Sequence, residues 1–449
     1  MTLVALPWAI AGHPGGPFLA AAVAMNATTL ARYLVGDAAA IRVVAATRDS
    51  WLVGLVFVLG AGLAREYDHE DLLHEPWHVL LPLAASTFTA TILYLLLRIV
   101  SWRRSGTGWP VHGGYRAFLG LYWATAPLAW LYALPVERLL PAGEAVGANL
   151  LLLGIVSAWR VILMSRVVQV VWHGHWLAAF HVVGCFAWGV AAAAMSVAKL
   201  PLLSIMGGIE LGPGEATLAG TTFVVMLLAY VSTPWWLMAL AVVLLLRRRP
   251  DGPWTPDGAF ASGRFAVAPS AWRLAGALVA VGLVLLPFTQ PEQWRRHAVE
   301  RAFRAGDVAG AITEIERHGR GGFPPHWDPP PRTGFGEQVP GLPAIVAALV
   351  ATDPPPWVRE IFLAKAHNLD VLAGPGGVVK TLGDEMLADY VASLERLPEG
   401  ARLATLHVRA LEEFSKRHID ETIEPSAERL ALLDRLGALA GIPLEQPAP

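Results

Sequence analysis

Apolar runs dominate the chain from near residue 51 to near residue 290. Crossing a hydrocarbon core of roughly 30 Å takes about 20 apolar residues in a helix. The runs fall at about 51–64, 79–99, 116–135, 147–165, 176–198, 218–246 and 271–289. The first is short, Arg160 interrupts the fourth, and the sixth is long enough to tilt or to kink at Pro234. The pattern predicts about seven spans, with six and eight as neighbouring counts. Residues 1–25 are also apolar, but Pro7, Gly12, Pro14, Gly15 and Gly16 break them. Without the early positive charges of a signal peptide, they read as an interfacial segment or half-helix rather than a cleaved leader.

Orientation follows from the basic residues at the run ends. Arg32, Arg42 and Arg48 precede the first run, Arg98, Arg103 and Arg104 follow the second, and Arg166 follows the fourth. The triplet Arg247, Arg248 and Arg249 follows the sixth. An acidic loop containing Glu66, Asp68, Glu70, Asp71 and Glu75 separates the first two runs. This alternation predicts a cytoplasmic N-terminus and, with seven spans, a tail on the outside.

The pattern changes at Pro291. Residues 291–449 carry 17 Lys and Arg against 23 Asp and Glu, a net charge of −6; the remainder carries 17 against 13, a net of +4. Segment 292–305 places Trp294, Ala298, Ala302 and Phe303 near one helical face. Gly306 then stops the helix and Asp307 caps a second one running to about His318. Further helices are predicted at about 342–352, 356–372, 382–397, 401–418 and 425–440. The Pro- and Gly-rich stretch 321–336 cannot be helix or central strand, and is read as an ordered loop or linker. No repeat period recurs downstream.

Composition supports a lipid environment. Of the 449 residues 55% are hydrophobic and only 16% charged, against roughly 25% charged in soluble domains. Mean hydropathy is +0.47. Eighteen Trp suit the membrane–water interface. A net charge of −2 excludes a strongly basic nucleic-acid binder. The single cysteine, Cys185, excludes an intramolecular disulfide and any multi-cysteine metal site.

One catalytic pattern is present. His74-Glu75-Pro76-Trp77-His78 matches H-E-x-x-H, in which two histidines one helical turn apart bind zinc and the glutamate is the general base. Pro76 opposes it, because proline inside that turn removes a donor and clashes with the carbonyl four residues back. If Pro76 instead opens the helix, His74 lies outside it. Glu75 is thus the candidate catalytic residue and His74 and His78 the candidate ligands, with His69 and Asp71 beside them. The plainer reading is a solvated acidic loop and a helix start at the membrane surface, with no cofactor. Trp172-His173-Gly174-His175-Trp176, with His181, could chelate a metal or form an interfacial turn. Arg160 is the conspicuous intramembrane polar residue; such a charge costs several kcal/mol unless paired, hydrated or snorkelling.

Gly113-Gly114-Tyr115-Arg116-Ala117-Phe118, the following run with Ala126-Pro127-Leu128, and Ser157-Ala158-Trp159-Arg160 resemble bacterial members of the Yip-domain family of polytopic membrane proteins. The resemblance covers at most residues 30–200. It implies a membrane scaffold or trafficking-like role with no active site, and it does not reach the tail.

The expectation is an all-α protein. It has an N-terminal cytoplasmic or interfacial segment (1–50), a helical membrane bundle (51–290) and a soluble helical domain (291–449). The expected role is a non-enzymatic scaffold, in a bacterial inner membrane, whose tail binds a protein partner. The alternatives are a zinc-dependent hydrolase using residues 74–78 and a transporter with Arg160 on a polar path.

Overall fold

The computed structural model describes residues 24–64, 72–101, 111–197, 211–246, 257, 260–329, 340–372, 377–408 and 426–441. His69, Asp71, residues 1–23, Arg103, Arg104, Arg247, Arg248, Arg249 and the second part of the 321–336 loop lie outside them. The described residues are helical, with two isolated bridges and no strands.

The chain enters through a short hairpin, α1 (Ala27–Leu34) and α2 (Ala38–Ala46). Gly36 turns it at a φ of +80°, a conformation glycine adopts without cost, and Asp37 caps α2 by accepting from the amides of Ala39 and Ala40. Ile41 and Val44 are fully buried against the bundle. Residues 260–268 lie across this hairpin as a strap: the Met25 amide donates to Ala266, and the Arg48 amide to Phe265.

Seven helical elements then run back and forth. They are α3 (Ser50–Ala64), α4 (Trp77–Ser101), α5 (Val111–Trp123) with a 3₁₀ extension (Ala126–Ala133), α6 (Ala142–Val171), α7 (Trp176–Val197), α8 (Pro213–Leu246) and α9 (Pro269–Arg304). Six crossings are long and apolar enough to span a membrane, the α5–3₁₀ pair counting as one over Gly114–Arg138. The seventh, α3, has 15 residues, about 22 Å at 1.5 Å per residue. Enclosed by α4, α5, the 3₁₀ extension and α9, it is apolar on every side, and its length is not set by lipid. It runs parallel to α5, Gly54 against Trp123 and Gly60 against Trp130, and parallel to α9, with Leu63 against Gly282. Seven traverses put the α1–α2 hairpin and the tail at opposite ends of the bundle.

The boundary read at Pro291 falls inside one helix. Pro287 and Pro291 both lie within α9, which continues to Arg304. Proline is tolerated in membrane helices because neighbours re-satisfy the backbone it frees. The expected face of this segment also differs. Phe303 is buried, but Trp294 is 58% exposed, and Gln293, His297, Val299 and Glu300 occupy the inner side.

After Gly306 (φ +79°), Asp307 caps α10 (Val308–His318), accepting from the Gly310 amide. The tail continues with α11 (Leu342–Thr352), α12 (Pro356–Leu363), α13 (Ala366–Leu372), α14 (Gly377–Thr381), α15 (Asp384–Arg396), α16 (Gly400–Ala404) and α17 (Ala427–Leu439). These match the predicted helices, except that 356–372 is two helices, that α14 was not predicted, and that only the first part of 401–418 is described. Phe303, Ile312, Val346, Phe362, Val391 and Leu436 are among its core. Arg359 of α12 pairs with Glu399, just before α16, at 3.1 Å, and Arg429–Asp384 and Arg435–Glu395 tie α17 to α15, both at 2.7 Å.

Candidate functional site

The H-E-x-x-H segment does not form two ligands on one helix. α4 begins at Trp77, so Pro76 stands just before its first turn and His74 and Glu75 precede the helix. Glu75 Oε2 lies 3.0 Å from His78 Nε2, one residue into the helix. His74 turns the other way and stacks on His297 of α9, ring centroids 4.2 Å apart and planes 25° from parallel. Rings laid face to face direct their nitrogens outward along their own edges, not at a shared ion. Among the described residues no group of three His, Cys, Asp or Glu is placed to hold a metal ion. The arrangement joins the start of α4 to the buried polar side of α9, where Gln290, Gln293, His297 and Glu300 follow one another. Glu300 accepts from Arg296 at 2.8 Å and from the Trp327 indole at 3.2 Å. The sequence showed the histidine pair but not His297, whose relation to it exists only after folding.

At the same end the tail returns to the bundle. Arg138 pairs with Glu292 at 2.7 Å, and His326 Nε2 is 2.9 Å from the Leu140 carbonyl. Glu137, beside Arg138, is a buried acid that sequence reading passed over. One carboxylate oxygen accepts from the Asn149 side-chain amide.

The opposite end carries Arg160. Its Nε donates to Thr125 Oγ1 at 3.1 Å, and its guanidinium lies 5.3 Å from the centre of the Tyr122 ring. Tyr122 in turn donates to Thr89 on α4. The neighbouring donors of α6 reach the end of α1: Trp159 Nε1 to the Leu34 carbonyl at 2.8 Å, and Arg166 Nε to the Gly36 carbonyl at 3.3 Å. Cations and N–H donors are favoured there by the exposed carbonyls of a helix C-terminus. These contacts link α6 to the α5–3₁₀ junction, to α4 through Tyr122, and to the end of α1.

The Trp172–Trp176 segment forms the turn between α6 and α7, but its residues separate. Trp172 is fully buried against Phe118 and Phe260 rather than interfacial. His173, at a φ of +49°, lies 3.7 Å from Asp257, which also faces Arg42 at 3.4 Å. His175 Nδ1 instead accepts from the Leu177 amide. His181 rests between Trp235 and Trp236 of α8.

The described residues of the tail include a buried polar network around His407. His407 is 1% exposed, with Nε2 3.0 Å from the Tyr390 hydroxyl and Nδ1 3.5 Å from Asp370. Asp370 also accepts from the Val378 amide at 2.8 Å, fixing the start of α14. Burial pushes the His407 imidazole below its ordinary pKa, with Asp370 pulling the other way, and raises Tyr390. The order Asp–His–Tyr has the look of a proton relay, but its burial makes it an internal brace.

Comparison with family models, with curated proteins and with solved structures found no match for this chain.

Proposed function

We propose that this chain is a membrane scaffold: a multi-pass bundle that holds a helical domain rigidly at one membrane face for a protein partner. The observation that carries this reading is α9. Over 36 residues, about 54 Å, one helix supplies a lipid-length apolar stretch and then the first core residues of the tail, Val299 and Phe303. A tail tethered by a flexible linker could move freely, whereas one begun by a membrane helix is held in orientation. Beyond α9, Met386 and Leu430 are the large apolar residues that the described tail leaves exposed. A partner would therefore meet a polar surface with net negative charge, which favours a basic partner.

Charge also supports a sidedness. The hairpin end carries nine arginines against three aspartates among the described residues. By the positive-inside rule that end faces the cytoplasm and the tail the opposite side, as in a bacterial inner membrane.

Photo-crosslinking from a reactive residue at position 386 of the full chain in its native membrane tests the scaffold reading. A single protein neighbour that is lost at high salt, together with loss of the chain's cellular role when residues 305–449 are deleted and the bundle still inserts, supports it. Absence of any neighbour, with that role surviving the deletion, would sink it. Reaction of a cysteine at 386 with an impermeant maleimide from the cytoplasmic side would overturn the sidedness.

A further inference from the structure

α8 is an edge helix, packed mainly on α6 and α7. Along its outer side Phe223, Leu227, Tyr230, Pro234 and Leu237 recur at alternating steps of four and three residues, all of them exposed. Its 34 residues run about 51 Å, and Tyr230 stands near the middle, about 25 Å from either end. Wherever a hydrocarbon core of roughly 30 Å lies along such a helix, Tyr230 is inside it. Tyrosine otherwise favours the membrane–water interface, where its hydroxyl meets water. Here the residue is 63% exposed and its hydroxyl has no partner among the described residues.

The backbone is open at the same point. Pro234 has no amide to return to the Tyr230 carbonyl one turn before it. In membrane helices a serine or threonine hydroxyl, or a neighbouring helix, makes good such a loss. Ser232 and Thr233 do not, since both donate to the Ala229 carbonyl, as does the Trp188 indole of α7. Among the described residues Tyr230 therefore presents an unmet donor and an unmet acceptor at a depth without water.

A second copy meets both at once. Two chains inserted the same way are related by a two-fold axis along the membrane normal, which sets identical residues at identical depth. We propose that two copies of this chain pair through α8, each Tyr230 hydroxyl donating to the Tyr230 carbonyl of the other. The stripe's spacing, close to 3.5 residues, suits two parallel helices crossing at a small left-handed angle. In lipid it is such polar contacts and side-chain packing, not the exclusion of water, that drive helices together. The pairing rests on the membrane reading but not on the scaffold role, since neither the tail nor its partner enters it.

The test co-expresses two differently tagged full chains, one with a photoreactive residue in place of Leu227, and irradiates them in the native membrane. Adducts carrying both tags, joined within residues 220–241, are expected, and none from the same probe in place of the exposed Phe88 of α4. Adducts confined to the same chain, as with residues 1–23, or to a different protein, would overturn the assignment. In lipid vesicles, energy transfer between labelled chains measures pairing as lipid dilutes them. Tyr230→Phe keeps the ring and should weaken pairing about fivefold, the scale of two hydrogen bonds between membrane helices. Chains that stay monomeric at every dilution, or pairing undiminished in Tyr230→Phe, would also overturn it. Should that variant fail to fold, the adducts of the parent chain decide the matter alone.

Discussion

His74 stacks on His297, joining the segment before the second traverse of the bundle to the helix that carries the tail. The contact takes His74 away from His78, so the two do not share one helical face. Pro76 delays the helix to Trp77, and His74 is drawn to α9 rather than to His78.

Replacing His74 by Ala should lower the stability of the full chain by about 1 kcal/mol, the scale of an aromatic pair. Thermal unfolding in detergent measures this. Elemental analysis of the same samples gives a second reading: zinc content is expected to be the same in the parent chain and in a His74→Ala/His78→Ala variant. About one zinc per chain, lost in the double variant, would restore the hydrolase alternative.

The continuity of α9 makes Phe303 a shared element of anchor and tail. It is 2% exposed and its ring lies 6.0 Å from that of Phe362. Phe303→Ala should cost about 3 kcal/mol and open the tail to limited proteolysis, while the bundle stays inserted. A proteolysis pattern unchanged from the parent would argue against this coupling.

The tail should lose stability on both sides of neutrality. Burial disfavours charged His407, so the unfolded chain, titrating near the usual value of about 6.5, takes up a proton that the folded tail refuses. Stability is then present above pH ~6.5 and falls as the pH drops below it toward the lower folded value. Tyr390, raised by burial, gives the mirror effect: its contribution is present below pH ~10 and declines above it. Denaturant unfolding of the tail followed against pH checks both, and His407→Gln should flatten the acid limb.

Inside the bundle Gly54 is a tight contact, where a Cβ would stand 2.7 Å from that of Trp123. Neither α3 nor α5 can withdraw, because each is packed on its other side. Gly54→Val should destabilise the bundle by about 2 kcal/mol, as overpacking does. Thermal stability equal to that of Gly147→Val, where nothing lies within 4 Å, would show that α3 is free to shift.

Local chemistry was readable wherever residues answer to their own neighbours. Apolar runs gave six membrane-length crossings because lipid requires length and continuity of each helix separately. Gly306 and Asp307 gave the α9–α10 turn because positive φ and an amide acceptor are properties of those residues. The same logic offered Pro76 as the opening of α4, which begins one residue later at Trp77.

Tertiary structure decided whatever depends on partners far along the chain. The short run at 51–64 was legible, but that protein encloses α3 on its sides was not, since no hydropathy window reveals neighbours. Composition breaks at Pro291 while the helix does not, since charge content reports the surrounding solvent and helix continuity reports backbone hydrogen bonding. Trp172, read as interfacial, is buried because α6 brings it under Phe118 and Phe260. His297 and Glu137 carried no signal of their own, for a buried polar side chain is defined by what the fold sets around it.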